Sequence, residues 1–306
     1  MNILSHFHTY YMKITAAGTI NRDVKQFADG RKEESLGGLL FTILTLAGLA
    51  EDDDLITPVA HVGYDIHDSV LTNLKKFTNI NPDGLMKADT LNNTVYLELS
   101  PNTERDEHTD LNLPPLKFID LEKHLNCDVL IMNFTSGYDF EPADLMKIKT
   151  KCKGLIYIDI HSLTLGIDES GHRFRRKIPQ WRNLIRGADI VQLTAGEAWS
   201  FAEDDAEYSA YEVAFSIAEE VSTACLMTKG AEGVTAYMTG GGYQHFPAVK
   251  AEKIIDTTGC GDVFGAAFLI NYMRSKDLEA SIEFGNRMAA EKCAFSGLDF
   301  FHNNKI

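Results

Sequence analysis

Residues 256–262 read Asp256-Thr257-Thr258-Gly259-Cys260-Gly261-Asp262, and this is where the sequence could do chemistry. Val263, Ala266, Ala267 and Ile270 recur at helical spacing just downstream, so the glycines sit where a loop enters a helix. A helix start offers unpaired main-chain N–H groups and the positive end of the dipole, which together favour an anion. Gly259 and Gly261 carry no side chain to hold a phosphate away from that backbone. Asp262 falls in the first turn, where a carboxylate can take the proton from a hydroxyl attacking the bound phosphorus. Glycines, helix start and adjacent acid therefore describe phosphoryl transfer. A simpler reading makes Asp262 only a helix cap. Gly259-x-Gly261-x-x-x-Gly265 also resembles a dinucleotide fingerprint, but that needs a further strand and an acid about 20 residues on. The remaining residues read as helix. The G-x-x-x-x-G-K-[ST] loop of other phosphate-binding proteins does not occur.

Holding such a loop requires a scaffold, and the rest of the chain supplies the pattern of one. Strand-length apolar runs at 13–17, 58–62, 129–133, 155–159, 190–193, 224–228 and 233–238 alternate with helical periodicity at 39–49, 69–76, 141–149, 211–220, 261–274 and 278–294. Several runs are apolar almost throughout, as in strands covered on both faces. The expected class is α/β with a mostly parallel sheet. Residues 36–50 form the most apolar long stretch, too short to span a bilayer comfortably, and read as a buried helix. Two segments break the rhythm. Residues 23–36 carry the turn signal Asp29-Gly30, and residues 93–100 alternate Val95, Leu97 and Leu99 with polar neighbours. These form either a small separate sheet or edge strands of the main one. No linker-like composition divides the chain, so residues 1–306 read as a single domain with a small insertion.

Composition narrows the partners. Lys and Arg number 29 against 44 Asp and Glu, a net charge of −15 that repels nucleic acid and anionic lipid alike. The five cysteines show no C-x-x-C pair, which argues for neither a disulfide framework nor a zinc site and suits a cytoplasmic location. The opening residues lack a basic segment followed by an apolar run, so no secretory leader is expected. Arg173, Arg175, Arg176, Lys177 and Arg182 read as a solvated loop and helix start, and the acidic runs at 51–54 and 203–205 as surface.

The segment Asp256–Asp262 resembles the D-T-x-G-A-G-D signature of the ribokinase-like (PfkB) carbohydrate kinases, with Cys260 in place of Ala. Weaker similarities follow in the family's order: Gly18 to Asp23, the pair Gly37-Gly38, Val62-Gly63-Tyr64-Asp65, and Thr228-Lys229-Gly230-Ala231-Glu232-Gly233. The resemblance implies a three-layer α/β/α sandwich with a small β lid contributed by about residues 23–36 and 91–105. It implies an ATP-dependent kinase for a hydroxyl of a sugar or sugar-like molecule, with a nucleoside kinase or a non-catalytic sensor of the same fold as alternatives. Asp262 would be the base, and the amides of Gly259, Cys260 and Gly261 the anion hole. Asp23, Gly37, Gly38 and Thr42 would meet the sugar. Thr194, Glu197, Thr228, Gly230, Gly233 and Asn286 would lie along the nucleotide. Mg2+ would be held indirectly through Glu197, and K+ by Asp256 with the Thr258 carbonyl. Lids of some members of the family pair between subunits, so a homodimer is expected by analogy alone. The sequence departs from the pattern at Thr42 and Thr194, where the family has Asn, and at Asp159-Ile160-His161, where it has D-x-N-x-R. No role is assigned to His161.

Overall fold

The computed structural model describes residues 11–27, 30–99, 106–202 and 209–303. Asp29 of the expected turn, residues 100–105 of the expected lid and the acidic run at 203–205 lie outside them. The main sheet is built from β1 (Lys13–Gly18), β4 (Leu55–Gly63), β5 (Leu85–Ala88), β8 (Val129–Asn133), β9 (Leu155–Asp159), β12 (Ile190–Thr194), β13 (Ala224–Thr228), β14 (Gly233–Met238) and β15 (Tyr243–Pro247). Their order is β15-β14-β13-β12-β9-β8-β1-β4-β5. Every neighbouring pair from β5 to β13 is parallel, and the final two strands run antiparallel.

The apolar strands are explained by what lies on each side. Successive side chains of a strand point to opposite faces. In β8, Ile131 joins one core while Leu130 and Met132 join the other. The first core receives the helices Leu39–Leu49, Cys260–Ser275 and Leu278–Lys292, and the second receives Trp181, Phe201, Val213 and Ile217. A strand buried on both faces has no wet side, so alternation disappears from its sequence. The helix Leu39–Leu49 is buried from Leu39 to Ala47, wedged between the sheet and the helix Cys260–Ser275. The helix expected over 39–49 appears with those bounds, inside the apolar stretch 36–50. Leu36, Gly37 and Gly38 instead end a strand, paired with Arg22, Asn21 and Ile20.

The two rhythm-breaking segments form a separate four-stranded sheet. β1 passes through Thr19 directly into β2 (Ile20–Phe27), which pairs antiparallel with β3 (Lys32–Gly38) and parallel with β6 (Thr94–Leu99). β6 pairs with β7 (Asp106–Asp110), giving the order β3-β2-β6-β7. A two-stranded clip, β10 (Leu165–Ile167) with β11 (Arg173–Arg175), meets this lid at the bridge His108–His172. The clip corrects the solvated reading of the basic cluster. Arg173 is buried, donates from Nη1 to the Ser136 carbonyl at 2.8 Å and lies 3.4 Å from Glu107. Arg176 likewise donates to the Leu163 carbonyl at 3.1 Å.

Candidate active site

Parallel strands converge their carboxyl ends on one crevice, the usual place for a ligand in an open α/β sheet. Here a cavity of about 300 Å³ opens between those ends, the lid and the start of the helix Cys260–Ser275. Asn21, Asp23, Val95, Leu97 and Glu107 come from the lid. Thr194 and Thr228 end β12 and β13, with Glu197 just beyond. Thr257, Thr258, Gly259, Gly261 and Asp262 supply the remaining wall, and Asp159, His161 and Gln192 lie between.

The anion-binding turn follows from its glycines. Gly259 has φ +80°, and a Cβ there would fall 2.6 Å from the Phe41 ring, so conformation and space both demand glycine. No side chain caps this 16-residue helix. Its leading amides therefore keep their donors for a ligand. The Cys260 amide is the exception, donating to the Thr257 carbonyl at 3.2 Å. The Cys260 side chain is not on the cavity wall, and its Sγ lies 3.4 Å from Cys293 Sγ.

Asp262 is buried, and its Oδ1 accepts from Asn133 Nδ2 at 2.9 Å and from Thr42 Oγ1 at 3.4 Å. Burial pushes its carboxyl above the usual range, while His161, Asn133 and Thr42 act the other way. Thr42 thus contacts the acid and not the cavity, where the resemblance placed it on the sugar. Asn133 and Thr42 also bond each other, at 3.2 Å. Sequence reasoning missed Asn133, although an amide ending an otherwise apolar strand was the available signal.

At the lid end, burial raises Asp23 to about 7, with Glu107 and Asp262 adding to the effect and Lys25 opposing it. Gly37 makes room for that carboxylate: a Cβ there would stand 2.0 Å from Asp23 Oδ2. Gly38 lines the cavity itself. Glu107 also escaped the sequence reading, because β7 is a polar run without the alternation that reveals a strand.

At the opposite end, Thr194 and Glu197 cap each other. Glu197 N donates to Thr194 Oγ1 at 3.1 Å, and Thr194 N to Glu197 Oε2 at 2.8 Å. A threonine in the family's asparagine position is here a helix cap. Gly230 and Gly233 shape the β13–β14 connection without lining the cavity, and Asn286 Nδ2 donates to the Pro247 carbonyl at 3.2 Å, away from it. His161 faces the cavity in a left-handed backbone conformation, φ +40°. Its crowded setting disfavours charge, yet Asp262, Asp159 and Glu197 more than offset this and hold the imidazole above its ordinary pKa. Burial raises Asp159 and Glu197 as well. Acidic side chains outnumber basic ones on the cavity wall, a lining that would accept a divalent cation arriving with phosphates. No group of three metal-ligating side chains occurs among the described residues, so such an ion would be held through water and phosphate.

The sheet order, lid and crevice define the class: a ribokinase-type fold. Residues 167–302 match the pfkB family carbohydrate kinase. A cytidine kinase from Thermococcus kodakarensis is 22% identical over 287 residues, covering 92% of this chain and 95% of its own. Among solved structures, a pyrophosphate-dependent kinase in the ribokinase family superposes with TM-score 0.77 at 16% identity, covering 93% of this chain and 96% of that one. Ribokinase from Thermotoga maritima gives TM-score 0.75 at 18% identity, with 96% and 100% covered. The chain thus carries a pfkB family carbohydrate kinase match over residues 167–302 and has the ribokinase-type fold over nearly its whole length.

Proposed function

We propose that the chain, as one domain over residues 1–306, transfers the γ-phosphoryl group of ATP to a hydroxyl of a sugar or sugar-like molecule. The observation that carries this reading is the position of Asp262, at the junction of the glycine-rich helix start and the lid-covered cavity that holds Asp23. The acceptor lies under the lid, its hydroxyls bonded to Asp23 and to the main chain at Gly38. Asp262, held by Asn133 and Thr42, takes the proton of the attacking hydroxyl, and its raised pKa suits it to do so. The free amides of the turn receive charge that builds on the transferring group. Glu197 and Asp159 would hold, through water, a magnesium ion arriving with the donor, which would neutralise phosphate charge. The five free cysteines suit a cytoplasmic enzyme. No described helix is long and apolar enough to cross a membrane.

A nucleoside acceptor is the second reading. It is favoured by the near full-length match to a cytidine kinase and by the apolar pair Val95 and Leu97 beside Asp23. ADP release from ATP and magnesium should be followed with ribose, fructose, 2-keto-3-deoxygluconate, adenosine and cytidine in turn. At least one acceptor should raise it tenfold or more over background. Silence across a broad sugar and nucleoside panel, with ATP bound, would leave a non-catalytic sensor.

A further inference from the structure

The resemblance implies a potassium ion beside the anion hole, at Asp256 and the Thr258 carbonyl. The side chains present do not fit a free ion there. Asp256 Oδ1 accepts from the Thr258 amide at 2.9 Å. Its Oδ2 accepts from Lys25 Nζ at 2.6 Å and from the Gly297 amide at 3.0 Å. A second ammonium completes the cluster. Lys292 is fully buried, with Nζ 3.3 Å from the Asp256 carbonyl, 3.2 Å from the Phe295 carbonyl and 3.9 Å from Asp256 Oδ2. The same Nζ lies 5.5 Å from the centre of the Phe41 ring, which also packs under Gly259.

We propose that the ammonium of Lys292, braced by Lys25, is a built-in substitute for the monovalent cation, so that the anion hole needs no potassium. The donor set is the argument. Main-chain carbonyls and one carboxylate converging on a single point are the oxygen environment of an alkali ion, and here a tethered ammonium occupies it. Full burial of a lysine costs free energy unless oxygens compensate it. Two of these oxygens belong to Asp256, at the head of the phosphate turn, and the third to Phe295. Lys25, Lys292 and Asp256 together carry one net formal positive charge, placed behind the turn that would grip an anion. Lys292 is thus a positioning residue: it shapes and charges the turn without touching the substrate.

The proposal rests on the kinase reading for its consequence, so the test uses readouts that do not require phosphorylation. Thermal unfolding of the full chain would be followed in tetramethylammonium chloride while KCl replaces it at constant ionic strength. Thallium NMR would report monovalent-ion binding directly. The wild type should show no potassium-dependent shift and no thallium site, and its phosphorylation rate should change less than twofold with KCl. Lys292→Met should unfold at lower temperature, gain a shift with KCl or NH4Cl, and bind thallium. Should that variant fail to fold, Lys25→Met, which keeps Lys292 in place, should remain potassium-indifferent, and the wild-type measurements decide alone. Thallium binding or a several-fold potassium activation of the wild type overturns the proposal. So does a folded Lys292→Met that is stable and fully active without any monovalent metal.

Discussion

The two walls of the cavity are built on opposite terms. The wall at the start of the helix Cys260–Ser275 uses main chain, and its geometry is set by one continuous stretch from Asp256 to Asp262. The lid wall uses side chains, Asp23, Val95, Leu97 and Glu107, drawn from β2 and from the distant pair β6 and β7. A phosphate is the same in every donor, so the wall that grips it can be invariant backbone. An acceptor differs in shape and hydroxyl pattern, so the wall that reads it must be adjustable side chain. Substitutions in the first wall should therefore move kcat, and substitutions in the second should move the acceptor KM.

Asp262→Asn, at the meeting of the two walls, should cut kcat by about two to four orders of magnitude while leaving donor affinity nearly unchanged. Turnover equal to wild type in a coupled ADP assay would remove the acid from the mechanism. Gly259→Ala places a methyl against Phe41 and strains a left-handed residue, and should lower kcat by about two orders of magnitude with the acceptor KM little altered. A change confined to acceptor KM would show that the division between the walls is false. Asp23→Asn should do the reverse, raising the acceptor KM by about tenfold or more.

The wild type should show the matching pH dependence. Acceptor affinity should weaken as pH falls through about 7, because on the proposed reading it is the carboxylate form of Asp23 that accepts the substrate hydroxyls. Stability should run the other way. The folded chain holds a proton on Asp23 up to about 7, whereas the exposed group releases it near 3.8, so this residue lowers stability as pH rises across that window. Asp23→Asn should accordingly melt higher than wild type at pH above 7, and calorimetry at both ends of the window checks the sign. The smallest effect belongs to Thr42→Val, which loses one hydrogen bond to Asp262 and should cost kcat about threefold to tenfold.

This asymmetry also governs what the sequence reveals. The backbone wall is legible because its demands are local: two glycines, a helix start and an acid fall within seven residues. The main strands are equally legible, since burial on both faces leaves unbroken apolar runs such as 129–133 and 224–228, which appear with those bounds. The side-chain wall is not. Glu107 sits on a strand whose residues, Asp106 to Asp110, are polar on both faces, and β10 and β11 are too short to carry a period. Thr42 is visible as a departure from the family pattern, yet its contact with Asp262 spans 220 positions and depends on how two helices pack. His161 is similar: its place after β9 is readable, but only the convergence of Asp159, Glu197 and Asp262 shows what surrounds it.

One feature of β2 reaches across both walls. Asp23 and Lys25 are two residues apart and therefore share a face of the strand, one toward the cavity and the other onto Asp256. On the proposed reading, a swing of the lid to free a product would also draw Lys25 from Asp256, whose carboxyl holds the Thr258 amide of the turn. An open lid would then slacken the grip on phosphate and keep an empty enzyme from losing its donor to water.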